Sequence, residues 1–174
     1  LSLLDAEREV RIRRQLAPLG KIVKTGDDFH YVDLIEGGAE SLSGGVYASS
    51  GVEYPIGDYS HALLGCMSMI EDVAQQALRA LALGDVEAYR SWLLPTVPLS
   101  YWVFQAPTAR YKHGVATIAM LRGKQDNDLL LPGNADTRDF WHKVTLYRLM
   151  DAAGLFTEEQ ALRAYEKHIA PDLT

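Results

Sequence analysis

The sequence predicts an α/β chain whose second half is helical, and three observations carry that prediction. The first 66 residues alternate short apolar runs with helical periods, in the order strand, helix, strand, helix. A glycine- and serine-rich stretch over residues 37–59 has no helical period and interrupts that order. From Ser68 onward, apolar residues recur every three or four positions between helix start and stop signals.

Each element has its own residues. Leu1-Ser2-Leu3-Leu4 reads as the end of a strand, and Asp5 is a suitable N-cap for a helix over residues 6–16. Val10, Ile12 and Leu16 give that helix its apolar positions, and Pro18 with Gly20 ends it. Lys21 to Thr25 reads as a strand that stops at Gly26-Asp27-Asp28, before a short helix over 29–36. The insertion at 37–59 reads as a long surface loop, because the strand-like run His61 to Cys66 resumes the pattern after it.

The helical half follows from punctuation. Ser68 with Glu71 predicts a capping box opening a helix to about residue 83, with Ile70, Val73, Ala74, Ala77, Leu78 and Leu81 on one face. Gly84 closes it and Asp85 caps the next, which Pro95 ends. A third helix starts at Pro98, and a fourth runs from Tyr111 to Leu121 with Gly123 after it. A polar connection over 124–136 leads to a helix capped by Asp136 or Thr137 and ending at Ala153-Gly154. Thr157 with Gln160 opens the last helix, which stops before Pro171.

Composition excludes several classes. At 174 residues with 48% hydrophobic and 23% charged residues, the chain is globular and of one-domain size, not disordered. A net charge of −6 without Lys/Arg runs argues against nucleic acid or an anionic membrane surface as partner. One cysteine, Cys66, excludes an internal disulfide framework and fits a reducing, cytoplasmic compartment. No apolar run is long enough to span a membrane. The chain opens on Leu rather than Met, and two parallel strands need neighbours on both sides. Both facts lead us to expect a fragment of something larger.

Four features resemble the dihydrodipicolinate synthase / N-acetylneuraminate lyase superfamily, in particular its uncharacterised dihydrodipicolinate-synthase-like branch. Thr25-Gly26-Asp27-Asp28 is similar to the family's Ser-Gly-Asp-Asp turn after strand 7. His61 to Cys66 followed by a capped helix resembles strand 8 and helix 8. The run Ala82-Leu83-Gly84-Asp85-Val86-Glu87-Ala88-Tyr89-Arg90 resembles the family's link into its C-terminal helices. Pro98-Leu99, Phe104, Pro107 and Lys112 follow in the family's order. The resemblance covers roughly residues 1–123 and departs at the 37–59 insertion, which puts the better-known members' substrate preferences in doubt here.

The resemblance implies the C-terminal part of a (β/α)8 TIM barrel, from about the end of strand 6 to strand 8, followed by a helical extension. Residues 1–83 would be the partial barrel and 84–174 the extension. It also implies class I lyase or aldolase chemistry on a 2-oxo acid such as pyruvate, through a Schiff base on lysine and with no cofactor. That lysine is expected just upstream of Leu1, so no catalytic residue is assigned within the chain. The implied substrate-binding positions are Thr25, Gly26, Asp27, Asp28 and Leu63. A small-molecule partner, a 2-oxo acid or sugar-like compound, and a homo-oligomeric state belong to the same expectation. The alternatives are a non-catalytic relative binding a small polyol or acid, and a helical protein-interaction module.

Each candidate also has a plainer reading. One of Asp27 and Asp28 can simply cap the helix beginning at Phe29. With His30, Asp33 and Glu36 they offer no closed ligand set at fixed spacing, so no metal is expected. Leu63 can be strand packing, His61 a locally satisfied strand start, and Cys66 an inert thiol. Arg110, Tyr111, Lys112 and His113 place positive charge at a helix start, where the dipole invites an acidic neighbour or an anionic ligand. Trp92, Tyr101, Trp102 and Phe104, like Trp141 and His142, read as core or subunit interface rather than a ligand box.

Overall fold

The computed structural model describes residues 15, 24–25, 32, 62–63, 68–131 and 137–173. They fall into two compact units that divide between Leu94 and Pro95.

The first unit is built on a helical hairpin. Helix α1 spans Glu71–Ala82 and α2 spans Val86–Leu93. The turn between them follows from two residues. Gly84 adopts φ +78, the left-handed region that costs glycine nothing. Its N–H donates to the Leu81 carbonyl, and the Asp85 N–H reaches back to Ala80, both at 3.0 Å. That is the double closure of a Schellman ending. Asp85 then turns its carboxylate onto the Ala88 N–H at 2.9 Å and starts α2. The two helices pack on Val73, Ala74, Ala77, Tyr89 and Leu93. The opening cap differs from expectation: the N-cap is Ile70, which makes no side-chain cap bond, and Ser68 lies two residues ahead of it. Leu78, placed on the buried face by periodicity, is 42% exposed.

The described residues are not an α/β barrel fragment. Their elements are helices, and β structure among them is confined to Lys24–Thr25 (β1) beside Ala62–Leu63 (β2). The pairing is parallel, with Thr25 opposite Leu63. Each strand is two residues long, whereas a barrel closes a continuous sheet on itself. What organises the described residues is the 3.6-residue period from Ser68 onward, which packs helix on helix. The expected strand end at 1–4, helices at 6–16 and 29–36, and loop at 37–59 fall almost wholly outside the described residues.

The second unit places four helices around a common core. Helix α3 spans Val97–Phe104, α4 Tyr111–Leu121, α5 Phe140–Ala152 and α6 Glu158–His168. Helix α5 packs against all three others and buries Leu146 and Met150 completely. Leu99, Val103 and Phe104 come in from α3, and Ile118 and Leu121 from α4. Helix α4 begins and ends where the sequence places it, and the Thr157–Gln160 capping box forms in both directions. The start of α5 differs. Its cap is Asp139, whose Oδ1 accepts the His142 N–H at 2.8 Å, rather than Thr137 or Asp136.

Candidate functional site

Of the positions expected to touch substrate, Thr25 and Leu63 are paired across the two strands. Gly26, Asp27 and Asp28 lie outside the described residues, as do His30, His61 and Cys66. Among the described residues no group of three His, Cys, Asp or Glu is placed to hold a metal ion. Among the described residues, the buried polar side chains Ser100, His113, Thr117 and His142 lie in the second unit.

That chemistry lies where α3, α4 and α5 meet. Arg138, in the segment leading into α5, crosses to the end of α3. Its guanidinium donates to the carbonyls of Gln105 at 2.6 Å, Pro107 at 3.2 Å and Ala106 at 3.3 Å. These are carbonyls just past a helix end, where a cation is favoured. The Arg138 backbone N–H donates to His113 Nδ1 at 2.7 Å. One residue thereby ties α3, α4 and α5 together.

Two histidines flank Arg138 and have opposite circumstances. On His113, Nδ1 accepts a backbone proton, so the ring's own proton sits on Nε2, 3.5 Å from Asp128 Oδ2. Thr117 Oγ1 lies 2.8 Å from that same carboxylate oxygen and 3.0 Å from the His113 carbonyl, so its single proton serves one of them at a time. His113 has Nδ1 committed and Nε2 facing the Asp128 carboxylate. It is a joint, and Asp128 is the acidic neighbour that the basic cluster at this helix start called for.

His142 is 4% exposed and stacked on Trp102, with ring centroids 5.4 Å apart and planes inclined by 16°. The Trp102 indole N–H donates to the His142 carbonyl at 3.2 Å, which fixes that wall. Gln105 Nε2 lies 3.3 Å from His142 Nδ1. His142 Nε2 is buried with no hydrogen-bond partner among the described residues. Burial, the Arg138 charge and then His113 depress its pKa to about 4, against a weaker opposing effect of Asp139. The imidazole is therefore neutral near pH 7.

A cleft of about 510 Å³ opens here, lined by Trp102, Gln105, Arg110, Arg138, Trp141 and His142 among others. Burial and the adjacent Arg110 lower the pKa of Arg138 against a weaker opposing effect of Asp139, which also lines the cleft, so two guanidiniums and one carboxylate stand within each other's field. Arg138 Nε is buried with no hydrogen-bond partner among the described residues. A smaller cleft of about 280 Å³ adjoins it, lined by His113, Thr117, Asp128, Lys143 and others. Lys143 is held by Asp172 at 2.8 Å.

Sequence reasoning reached only part of this site. It singled out Arg110, His113, Trp102, Trp141 and His142, and it missed Gln105, Asp128, Arg138 and Asp139. Of the two expected places for Trp141, core or subunit interface, its 66% exposure removes the core. The Thr137-Arg138-Asp139 run ahead of a helix was the available signal for the missed pair. An acid there is a natural cap, but an arginine beside it discloses its partners only once the end of α3 is in place.

Among the described residues, no helix is long and apolar enough to cross a membrane. No curated protein matches the chain. The sequence pattern of a family does match, over residues 1–170, and the chain belongs to that family, described as "Protein of unknown function (DUF993)".

Proposed function

We propose that the second unit binds a small organic acid in the cleft between Trp102, Arg110, Arg138 and Trp141. One observation carries this reading: two guanidiniums line one cleft, each within the other's field. Like charges brought close together are costly, and an anion lying between these two half-buried guanidiniums relieves the repulsion. Carboxylates suit guanidiniums because a charge-assisted N–H···O bond is stronger than a neutral one. Neither histidine serves as a general base in this reading. The Nδ1 of His113 already accepts the Arg138 N–H, and His142 takes up a proton only near pH 4.

Titrating the full chain with acetate and pyruvate, by calorimetry and amide NMR, tests the proposal. We expect saturable binding that weakens with salt and falls tenfold or more in Arg110→Gln. Arg138→Gln is the second variant, but it also frees the carbonyls of residues 105–107 and is read together with a stability measurement. Absence of saturable binding, or unchanged affinity in Arg110→Gln, overturns the reading.

A second reading has one observation in its favour. The parallel pairing sets Thr25 beside Leu63, two positions that the resemblance assigns to substrate. In that reading the chain belongs to a Schiff-base lyase acting on a 2-oxo acid, cytoplasmic and homo-oligomeric, with a small molecule as partner. Borohydride reduction of the natural gene product in the presence of pyruvate would leave a stable adduct on a lysine. A mass spectrum without that adduct removes this reading and leaves the first untouched.

A further inference from the structure

The cleft is too large and too aromatic for a two- or three-carbon acid alone. At about 510 Å³ this open cleft has room for more than two or three carbons beside the guanidiniums. Its walls differ in kind. Arg110 and Arg138 supply the cationic side, while Trp102 is fixed by its stack on His142 and its indole hydrogen bond. Trp141 is the unusual wall. Tryptophan is highly buried on average, yet this one is 66% exposed while lining the cleft. Its neighbour Phe140 meets its ring at a tilted 59° with centroids 5.4 Å apart, so the indole has aromatic support from within its own helix. Asp139, the acid at this edge, has Oδ1 engaged by the His142 N–H at the start of α5.

From that arrangement we infer that the ligand is an aryl or arylalkyl carboxylate, its carboxylate on Arg110 and Arg138 and its ring against the exposed Trp141 indole. The inference rests on the small-acid reading above and narrows it. A planar ring laid on an indole gains both buried area and the offset or edge contact that aromatic pairs favour. A short acid makes the ionic contact alone and leaves Trp141 wet.

The test compares benzoate and phenylacetate with acetate and pyruvate on the full chain, by calorimetry and by indole fluorescence. We expect the aryl acids to bind at least tenfold more tightly. In Trp141→Ala the ratio of aryl to acetate affinity collapses toward one, and Trp141→Phe restores most of it. Because Trp141 is exposed, neither variant removes core packing. If short and aryl acids bind alike, or the ratio survives Trp141→Ala, this inference falls while the small-acid reading stands on Arg110→Gln. If no carboxylate binds, both fall.

Discussion

Tyr89 in the first unit and His142 in the second are both buried rings with a polar end, and their surroundings answer that end differently. Tyr89 is wholly buried and its hydroxyl donates to the Val32 carbonyl at 2.6 Å, across 57 residues of sequence. That bond satisfies a donor and an acceptor at once, and it staples a distant segment to α2. His142 is buried nearly as deeply, but its Nε2 has no such answer among the described residues. A satisfied buried polar group is scaffolding, and an unsatisfied one is an expense that a fold keeps for a reason. Among the described residues, the buried side-chain atoms left without a hydrogen-bond partner fall in the second unit.

The largest expected effect is a control that should not distinguish the units. Leu93 in the first and Leu146 in the second are each 1% exposed or less. Truncating either to alanine should cost about 2–5 kcal/mol, read by urea unfolding with amide exchange followed in α2 and α5. Comparable costs would mean that the units differ in polar burial alone. A Leu146→Ala cost below about 1 kcal/mol would mean that the second unit's core is looser than its burial implies.

Acid should then separate them. The folded pKa of His142 lies near 4, below the ordinary 6.5, so the unfolded chain takes up a proton before the folded one does. The stability tied to a neutral His142 is complete above pH 6.5 and is lost as pH falls toward 4. The total loss is about 3 kcal/mol at 1.36 kcal/mol per pH unit. Amide exchange in α5 should report it, and His142→Phe should flatten that slope while keeping a ring against Trp102. A slope unchanged in the variant would assign the acid sensitivity to other groups.

A smaller effect tests the first unit's staple. Tyr89→Phe removes the hydroxyl and leaves the Val32 carbonyl buried without that donor, at a cost of roughly 1–3 kcal/mol. The loss should be the same at pH 5 and pH 7. A pH-dependent loss would mean that the staple is coupled to an ionising group and would blur the contrast with His142.

How much of this was legible from residues alone follows from the range of the forces involved. Helix ends are written locally: Gly84, Asp85, Thr157 and Gln160 act within four residues of themselves, and each performs the part its position implies. Ser68 and Asp136 or Thr137 also looked like caps, but the chain took Ile70 and Asp139. Several adjacent residues can start a helix, and packing chooses among them. The fold class failed for a related reason: apolar runs such as Lys21 to Thr25 satisfy a strand pattern, yet a pattern does not supply the neighbouring strands. The cleft was the least legible part. Arg138 meets residues 31–33 positions away, and His113 meets Asp128 across fifteen, so no window of sequence displays either.

The smallest stability effect bears most directly on the orphaned nitrogen. Gly114 lies inside α4, and a methyl built on it would stand 3.4 Å from Val103 Cγ1 and 3.5 Å from His142 Nε2. Those are ordinary contact distances, so Gly114→Ala should be accepted without displacing α5. Alanine gains about 1 kcal/mol over glycine in a helix interior, which offsets any crowding, and the net change should stay within about 1 kcal/mol. Its effect on His142 should be clearer. A methyl against Nε2 excludes water from the one nitrogen that would otherwise hydrate on protonation, so the imidazole should titrate at still lower pH, followed by its ring proton NMR shifts. A titration that does not move would mean that Nε2 already meets no solvent in the protonated form. A loss well above 1 kcal/mol would instead show that α4 and α5 are held closer than these distances allow, and that the space beside Nε2 is part of the joint.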